Sequence, residues 1–100
     1  MIIEVYGKQG CGLCKSAKKK LSVMLDRWSV DDEQIEMRFM DMEEDEIAAA
    51  EADLFDVFEI PTVLVKRNRD DVVARWDGQA PPSNELKDIL DAPAATRKAG

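Results

Sequence analysis

Two cysteines, three positions apart, stand where the sequence pattern changes. Before them lies a short apolar run, residues 2–6, which is typical of a buried strand. After them, apolar residues recur at helical spacing: Leu13, Ala17, Leu21, Met24, Leu25 and Trp28. Because three residues make nearly one helical turn, the pattern predicts that Cys11 begins a helix and that Cys14 lies one turn inward on the same face. The fold must therefore bring a strand end and a helix start together at these cysteines.

The predicted position of Cys11 has chemical consequences. Unpaired backbone N–H groups and the helix dipole stabilise a negative charge at a helix N-terminus. Lys8 and Lys15 are close in sequence and favour the same charge. We therefore expect the pKa of Cys11 to lie below the ordinary value of about 8.5, so that it is a thiolate at neutral pH. A thiolate attacks disulfides, and Cys14, being more shielded, is expected to resolve the mixed disulfide.

Two other interpretations of the cysteine pair remain open. A structural zinc site usually has four cysteine or histidine ligands, whereas this sequence has two cysteines and no histidine. A zinc site would therefore need carboxylates or a second subunit. The other alternative is an inert pair of buried thiols.

The rest of the chain predicts an α/β fold. Residues 35–42 alternate like a strand, the acids at 43–46 favour a helix start, and Ser83 is a candidate cap for a last helix. The second helix is expected to use an apolar stripe of Ile47, Ala50, Leu54 and Phe58 and to end before Pro61. Residues 62–65 and 72–76 are predicted strands around a turn at 68–71. The predicted order is β-α-β-α-β-β-α, with a four-stranded mixed sheet and helices on both faces.

Charge is distributed unevenly along the chain. The net charge is −7, which argues against general binding to nucleic acids or to anionic membranes. Residues 1–25 nevertheless carry +4, because five lysines accompany one acid, so the remainder carries −11. The acids of residues 41–59 stand without a base and indicate either a solvated face or a surface that docks a basic partner. We see no signal peptide and no membrane-spanning segment, and we expect a cytoplasmic monomer.

Four segments resemble the thioredoxin superfamily. Residues 5–14 are similar to a glutaredoxin active-site segment, and Ile60-Pro61-Thr62 is similar to the cis-proline loop of the superfamily. Residues 68–75 are similar to the thioredoxin hairpin. Residues 76–81 are similar to the W-x-G-x-x-P segment of redoxins that reduce ribonucleotide reductase. The resemblance covers residues 1–91 and implies the minimal, thioredoxin-like three-layer form of the fold.

The resemblance implies a dithiol reductase that passes electrons to disulfide-containing protein substrates without a cofactor. Cys11 and Cys14 would be the catalytic residues. Lys8, Ile60, Pro61 and Thr62 would bind the substrate, with Pro61 cis and the backbone at Ile60 offering strand-like hydrogen bonds. The electron donor would be thioredoxin reductase or glutathione. The alternative is a glutathione-dependent iron–sulfur or metal carrier.

This chain departs from the superfamily at two informative places. Thioredoxins have a buried aspartate six residues before the first cysteine, where this chain has Val5, so Cys14 is expected to lose its proton less readily. Residues 77–80, Asp-Gly-Gln-Ala, differ from the Gly-Gly-acid pattern with which glutaredoxins hold glutathione. We therefore expect thioredoxin reductase to be the better donor.

Residues 92–100 are predicted to be a flexible tail, because they are small or polar and lack an apolar stripe. Truncation after Asp91 should leave the free energy of unfolding almost unchanged in urea titrations. A loss of several kcal/mol would show that the tail packs on the domain.

Overall fold

The computed structural model describes residues 1–28, 35–68 and 71–90. The predicted tail, and the tip of the predicted turn at residues 69 and 70, lie outside these ranges. The elements are β1 Ile2–Gly7, α1 Gly12–Arg27, β2 Glu36–Asp41, α2 Glu46–Leu54, β3 Thr62–Asn68, β4 Asp71–Asp77 and a last helix, α3, at residues 83–90. The order β-α-β-α-β-β-α is confirmed. No helix in the described ranges is long and apolar enough to cross a membrane.

The four strands form one mixed sheet in the order β2-β1-β3-β4. The central strand β1 is parallel to β2 and antiparallel to β3, and β4 pairs antiparallel with β3. The parallel register places Gly7 beside Asp41, and the antiparallel register places Tyr6 beside Thr62. The end of β1, the end of β2 and the start of β3 therefore meet at one edge, which is also where α1 begins.

Alternating side chains of the strands divide the core between the two faces of the sheet. One cluster, under α1 and α3, contains Ile3, Val5, Leu21, Met24, Val63, Val65, Trp76 and Leu86. The other cluster, under α2, contains Tyr6, Met40, Ala48, Ala52, Val57 and Leu64. The three-layer arrangement predicted from the sequence is thus confirmed, with α1 and α2 on opposite faces.

The predicted buried stripe of α2 is wrong. Ile47 and Leu54 are 68% and 70% exposed, Ala50 is also exposed, and Phe58 lies beyond the helix and is 85% exposed. The buried positions are Ala48 and Ala52. The carboxylate of Asp45 caps the helix by accepting from the backbone N–H groups of residues 47 and 48, at 2.9 and 3.4 Å. The helix turns its small residues toward the sheet and its large aliphatic residues outward.

Beneath α2 the sheet holds a buried ion pair. Lys66 Nζ lies 2.7 Å from Glu4 Oε1, and both side chains are almost completely buried. The Tyr6 hydroxyl donates to the same Glu4 oxygen at 2.8 Å, and Lys66 Nζ lies 4.0 Å from the centre of the Phe55 ring. Burial, followed by the hydrogen bond to Glu4, raises the pKa of Tyr6. These contacts provide partners for the polar groups of Glu4, Tyr6 and Lys66, which are buried among apolar side chains.

Arg75 on β4 holds the chain that leaves α2. Its Nη1 donates to the carbonyl oxygen of Phe55 at 2.7 Å, and its Nη2 donates to that of Asp56 at 3.3 Å. The guanidinium also bonds both carboxylate oxygens of Asp77, at 2.7 and 3.2 Å. Arg75 therefore satisfies carbonyls at the helix end and fixes the start of the loop that leads to Pro61.

Asp56, which follows the C-cap residue Phe55 of α2, lies in the left-handed region, with a φ of 53°. This conformation costs an L-residue roughly 1–2 kcal/mol, and glycine is free of that cost. We expect Asp56→Gly to raise the free energy of unfolding by about 0.5–1 kcal/mol, after allowing for the greater flexibility of glycine in the unfolded chain. The bond from Arg75 is made to the backbone carbonyl and is retained.

Urea titration provides the measurement, with Asp53→Gly as the matched control. Asp53 is an exposed residue inside α2, where the helix propensities of aspartate and glycine are similar, so this variant should change the free energy of unfolding by no more than a few tenths of a kcal/mol. Equal losses in both variants would contradict the strain assigned to Asp56.

Candidate active site

Cys11 is the N-cap of α1, as the sequence predicts. Its backbone is extended, with φ −86° and ψ 112°, and its Sγ accepts a hydrogen bond from the backbone N–H of Cys14 at 3.2 Å. The Cys11 N–H donates to the carbonyl oxygen of Lys8 at 3.2 Å, which closes the loop between β1 and α1. The sulfur thus lies at the positive end of the helix.

Cys14 is completely buried against the end of β1. A Cβ placed on Gly7 would lie 2.6 Å from Cys14 Sγ and 2.8 Å from Cys14 Cβ, which is closer than real Cβ contacts. Glycine at position 7 therefore allows the first turn of α1 to approach the sheet. This close contact keeps Cys14 away from solvent, and Cys11 is only partly buried.

The two thiols are shifted in opposite directions. The pKa of Cys11 is lowered, mainly because the Cys14 thiol donates a hydrogen bond to it, with further help from the N–H groups of Cys14 and Leu13 and from the charge of Lys8. The pKa of Cys14 is raised, mainly by burial and then by its hydrogen bond to Cys11. The lowered pKa of Cys11 and the less acidic Cys14 agree with the directions expected from the sequence. The effect of the nearby lysines is smaller than expected, because Lys8 lowers the pKa of Cys11 less than the hydrogen bonds do.

The positive charge of Lys8 is paired with the carboxylate of Glu43. Its Nζ lies 3.9 Å from Glu43 Oε2, and both side chains are about half exposed. Asp41, at the end of β2, accepts from the N–H groups of Glu43 and Glu44 at 3.0 and 3.1 Å and so shapes this turn. These hydrogen bonds hold the pKa of Asp41 below its usual value. The substrate-binding role of Lys8 stays a prediction.

The loop before β3 faces the same end of the sheet. The Ile60–Pro61 peptide bond is cis, which is the isomer expected from the resemblance. Thr62 is fully buried, and its hydroxyl donates to the carbonyl oxygen of Glu59 at 2.6 Å. The Thr62 side chain is therefore used inside the loop. The binding roles predicted for Ile60, Pro61 and Thr62 stay predictions.

A groove of about 250 Å³ joins this loop to α1. Its lining residues are Leu13, Ser16, Ala17, Lys20, Pro61, Gly78, Gln79 and Ala80. Pro61 and the segment after β4 were expected from the sequence to lie near the cysteines, but the wall that α1 contributes to the groove was not expected. Leu13, between the two cysteines, is 69% exposed and gives this wall an apolar rim. Its position inside the C-x-x-C pair was the available signal.

Within the described ranges there is no group of three or more histidine, cysteine, aspartate or glutamate side chains placed to hold a metal ion. The zinc and cluster interpretations would therefore require ligands beyond the two cysteines, supplied by another molecule or by parts of the chain outside those ranges.

Comparison with solved structures identifies the fold. Thioredoxin-2 of the malaria parasite matches with a TM-score of 0.69 at 20% identity, over 91% of this chain and 81% of that chain. Thioredoxin 1 of Thermosipho africanus matches with a TM-score of 0.65 at 20% identity, over 97% and 99%. Thioredoxin of Fasciola hepatica matches with a TM-score of 0.62 at 23% identity, over 91% and 78%. The chain therefore has a thioredoxin-like fold. No protein-family profile matches the sequence, and no curated protein matches it.

The causes of the Cys11 shift lead to a test. Cys14→Ala removes the thiol that donates to Cys11, whereas Lys8→Ala removes a screened charge. Both variants should raise the pKa of Cys11, and Cys14→Ala should raise it more. The measurement is the rate of iodoacetamide alkylation against pH, with Lys19→Ala as a control for an exposed lysine elsewhere on α1. A larger shift in Lys8→Ala than in Cys14→Ala would contradict this assignment.

Proposed function

We propose that this thioredoxin-like chain is a thiol–disulfide oxidoreductase that reduces disulfides in other proteins. The observation that carries the proposal is the unequal environment of the two sulfurs. Cys11 is accessible at a helix N-terminus with a lowered pKa, whereas Cys14 is buried one turn away with a raised pKa. A pair arranged in this way supplies one ready nucleophile and one protected thiol, which is what stepwise disulfide exchange requires.

In the first step the Cys11 thiolate attacks one sulfur of the substrate disulfide. A bond forms between Cys11 Sγ and that sulfur, the substrate S–S bond breaks, and the other substrate sulfur leaves as a thiolate. The leaving sulfur takes a proton from water. Donors already directed at Cys11 Sγ, including the N–H of Cys14, hold it in place for this attack.

In the second step the proton of Cys14 passes to water by way of the partly exposed side of Cys11, and Cys14 Sγ then attacks Cys11 Sγ. The Cys11–Cys14 disulfide forms, and the second substrate sulfur leaves as a thiolate. Two electrons have then passed from the cysteine pair to the substrate. Because burial raises the pKa of Cys14, its thiolate is scarce until the mixed disulfide forms. The departure of the Cys11 negative charge at that point removes one of the causes that raise this pKa.

The groove beside Leu13 and Pro61 offers the substrate a place to lie. Its exposed leucine favours an apolar side chain next to the disulfide, and Lys20 on the same wall favours a nearby acidic group. The protein substrate is therefore proposed to present an extended segment along the Pro61 loop.

For the electron donor we propose thioredoxin reductase rather than glutathione. The support is the segment 77–80, which lacks the Gly-Gly-acid pattern of glutaredoxins. The charge of Asp77 adds little to this preference, because its carboxylate is bonded to the guanidinium of Arg75 and is not free to repel the anionic glutathione. The preference therefore depends on the shape of the loop more than on charge.

The carrier alternative remains a hypothesis from the resemblance alone. A visible absorption spectrum of the protein as purified separates the two: bands of an iron–sulfur cluster would favour the carrier. A spectrum without such bands, together with two titratable thiols, would favour the reductase.

Substitution of each cysteine tests the assigned roles. Cys11→Ser should abolish insulin reduction, because the nucleophile is lost. Cys14→Ser should accumulate a mixed disulfide through Cys11, which mass spectrometry detects as an adduct of one substrate molecule. Full activity of Cys11→Ser, or an adduct on Cys14 in the wild type, would contradict the assignment.

The donor is tested separately by the turnover rate with each donor under matched conditions. Thioredoxin reductase with NADPH should support faster turnover than glutathione with glutathione reductase. Efficient turnover with glutathione and none with thioredoxin reductase would reverse the proposed donor and leave the cysteine chemistry intact.

A further inference from the structure

The outer face of α2 has a composition that the core does not explain. We define it by its exposed residues Glu46, Ile47, Ala50, Asp53 and Leu54. The exposed fractions of Ile47 and Leu54 are 68% and 70%, and these are the largest apolar side chains of the helix. Ala48 and Ala52 form the opposite, buried side. The helix thus presents its most hydrophobic residues to solvent.

The spacing of these residues makes an ordered surface. Ile47 and Leu54 are seven positions apart, so they lie almost directly above one another, about 10.5 Å apart along the helix axis. Ala50 lies between them and keeps the strip apolar. Glu46 and Asp53 have the same seven-residue spacing and form a parallel acidic strip beside it. Single exposed aliphatic residues are common on proteins, but Ile47, Ala50 and Leu54 have the i, i+3, i+7 spacing with which one helix packs on another.

The charge around this face restricts what can cover it. Residues 41–61 contain no lysine or arginine. The acids of this segment that are exposed are Glu43, Glu44, Asp45, Glu46, Asp53, Asp56 and Glu59. An acidic partner would be repelled by these negative charges, and a neutral apolar partner would desolvate them without supplying a positive charge in return. A partner whose apolar residues are flanked by lysine or arginine gains both from the burial of apolar surface and from attraction to the acids.

A second copy of this chain is a poor occupant. The lysines that could match the acids, Lys15, Lys18, Lys19 and Lys20, are on α1, which lies on the opposite face of the sheet. If α1 of one copy covered α2 of the next, each pair would leave one basic and one acidic face free. Such a heterologous contact generates rings or open chains and does not form a two-fold symmetric dimer.

We propose that the outer face of α2 docks a basic amphipathic helix of another protein. The partner helix would carry two apolar residues seven positions apart and a third apolar residue between them. These three residues would pack on Ile47, Ala50 and Leu54. Its lysine or arginine residues would pair with Glu46 and Asp53. This helix-on-helix contact lies on the side of the sheet that α2 covers. The groove beside Pro61 is lined by α1, which covers the other side, so the contact does not require the groove or the cysteine pair.

Three synthetic peptides of equal length provide the probe. The first is a helix with leucines at i, i+3, i+7 and i+10 and lysines on both flanks. The second keeps the lysines and replaces the leucines by serine, and the third keeps the leucines and replaces the lysines by glutamate. We expect the first to bind the full-length protein at least tenfold more tightly than either control, with amide NMR shifts centred on residues 45–56.

Variants on the two faces locate the binding. The double variant Ile47→Ser, Leu54→Ser should weaken binding of the first peptide at least tenfold. Val23→Ser, an exposed apolar position on α1, is the matched control and should change binding less than twofold. Glu46→Gln with Asp53→Asn should weaken binding and reduce its dependence on salt. Circular dichroism of each variant verifies that the fold is retained.

Four results would overturn the proposal. The first is equal binding of the leucine and serine peptides, because a general attraction of basic peptides would then suffice. The second is unchanged binding in the Ile47, Leu54 double variant. The third is protection of Cys11 from alkylation by the peptide, which would place it in the groove. The fourth is self-association of the wild-type protein, seen by sedimentation and abolished in the double variant, which would make a second copy the occupant.

Discussion

The contact between Cys14 and Gly7 determines how the two halves of the site meet. Because position 7 has no side chain, the first turn of α1 lies directly on the end of β1, and the Cys14 sulfur occupies the space that a Cβ would fill. That approach fixes the direction in which α1 starts, and so places Cys11 at the helix N-terminus with its sulfur toward the N–H of Cys14. The central position of β1 then brings β2 and β3 to the same edge. Any larger residue at position 7 would separate the helix start from the sheet.

The charge distribution follows the layers of the fold. The lysine-rich helix α1 covers one face of the sheet, and the acidic segment that contains α2 covers the other. The net charge of the chain is therefore a poor guide to the field at either surface. The pKa of Cys11 is set mainly by short-range hydrogen bonds, because the Cys14 thiol and two backbone N–H groups lower it more than the charge of Lys8 does. The charged surfaces act at longer range and bear on which partners approach.

Much of the fold could be predicted from local patterns. The order of elements, the N-cap position of Cys11 and the opposite pKa shifts of the two cysteines follow from periodicity and from the properties of helix ends. The orientation of α2 could not be predicted, because its sequence is apolar on two sides and size decides which side packs: Ala48 and Ala52 allow the helix to lie close to the sheet. The Arg75 bonds to the carbonyls of residues 55 and 56 could not be predicted either, since they join positions about twenty residues apart. The α1 wall of the groove required the relative placement of helix and loop.

The buried pair of Glu4 and Lys66 has a consequence for how this sequence can vary. Each side chain neutralises the other in a space that water does not reach, and Tyr6 donates to the same carboxylate. Loss of one member would leave an uncompensated buried charge, whereas joint replacement by two apolar residues of similar volume would remove both charges of the pair together. The residues at positions 4 and 66 are therefore expected to be substituted together during evolution. In an alignment of relatives they should appear as a covarying pair, and sequences with one member alone should be rare.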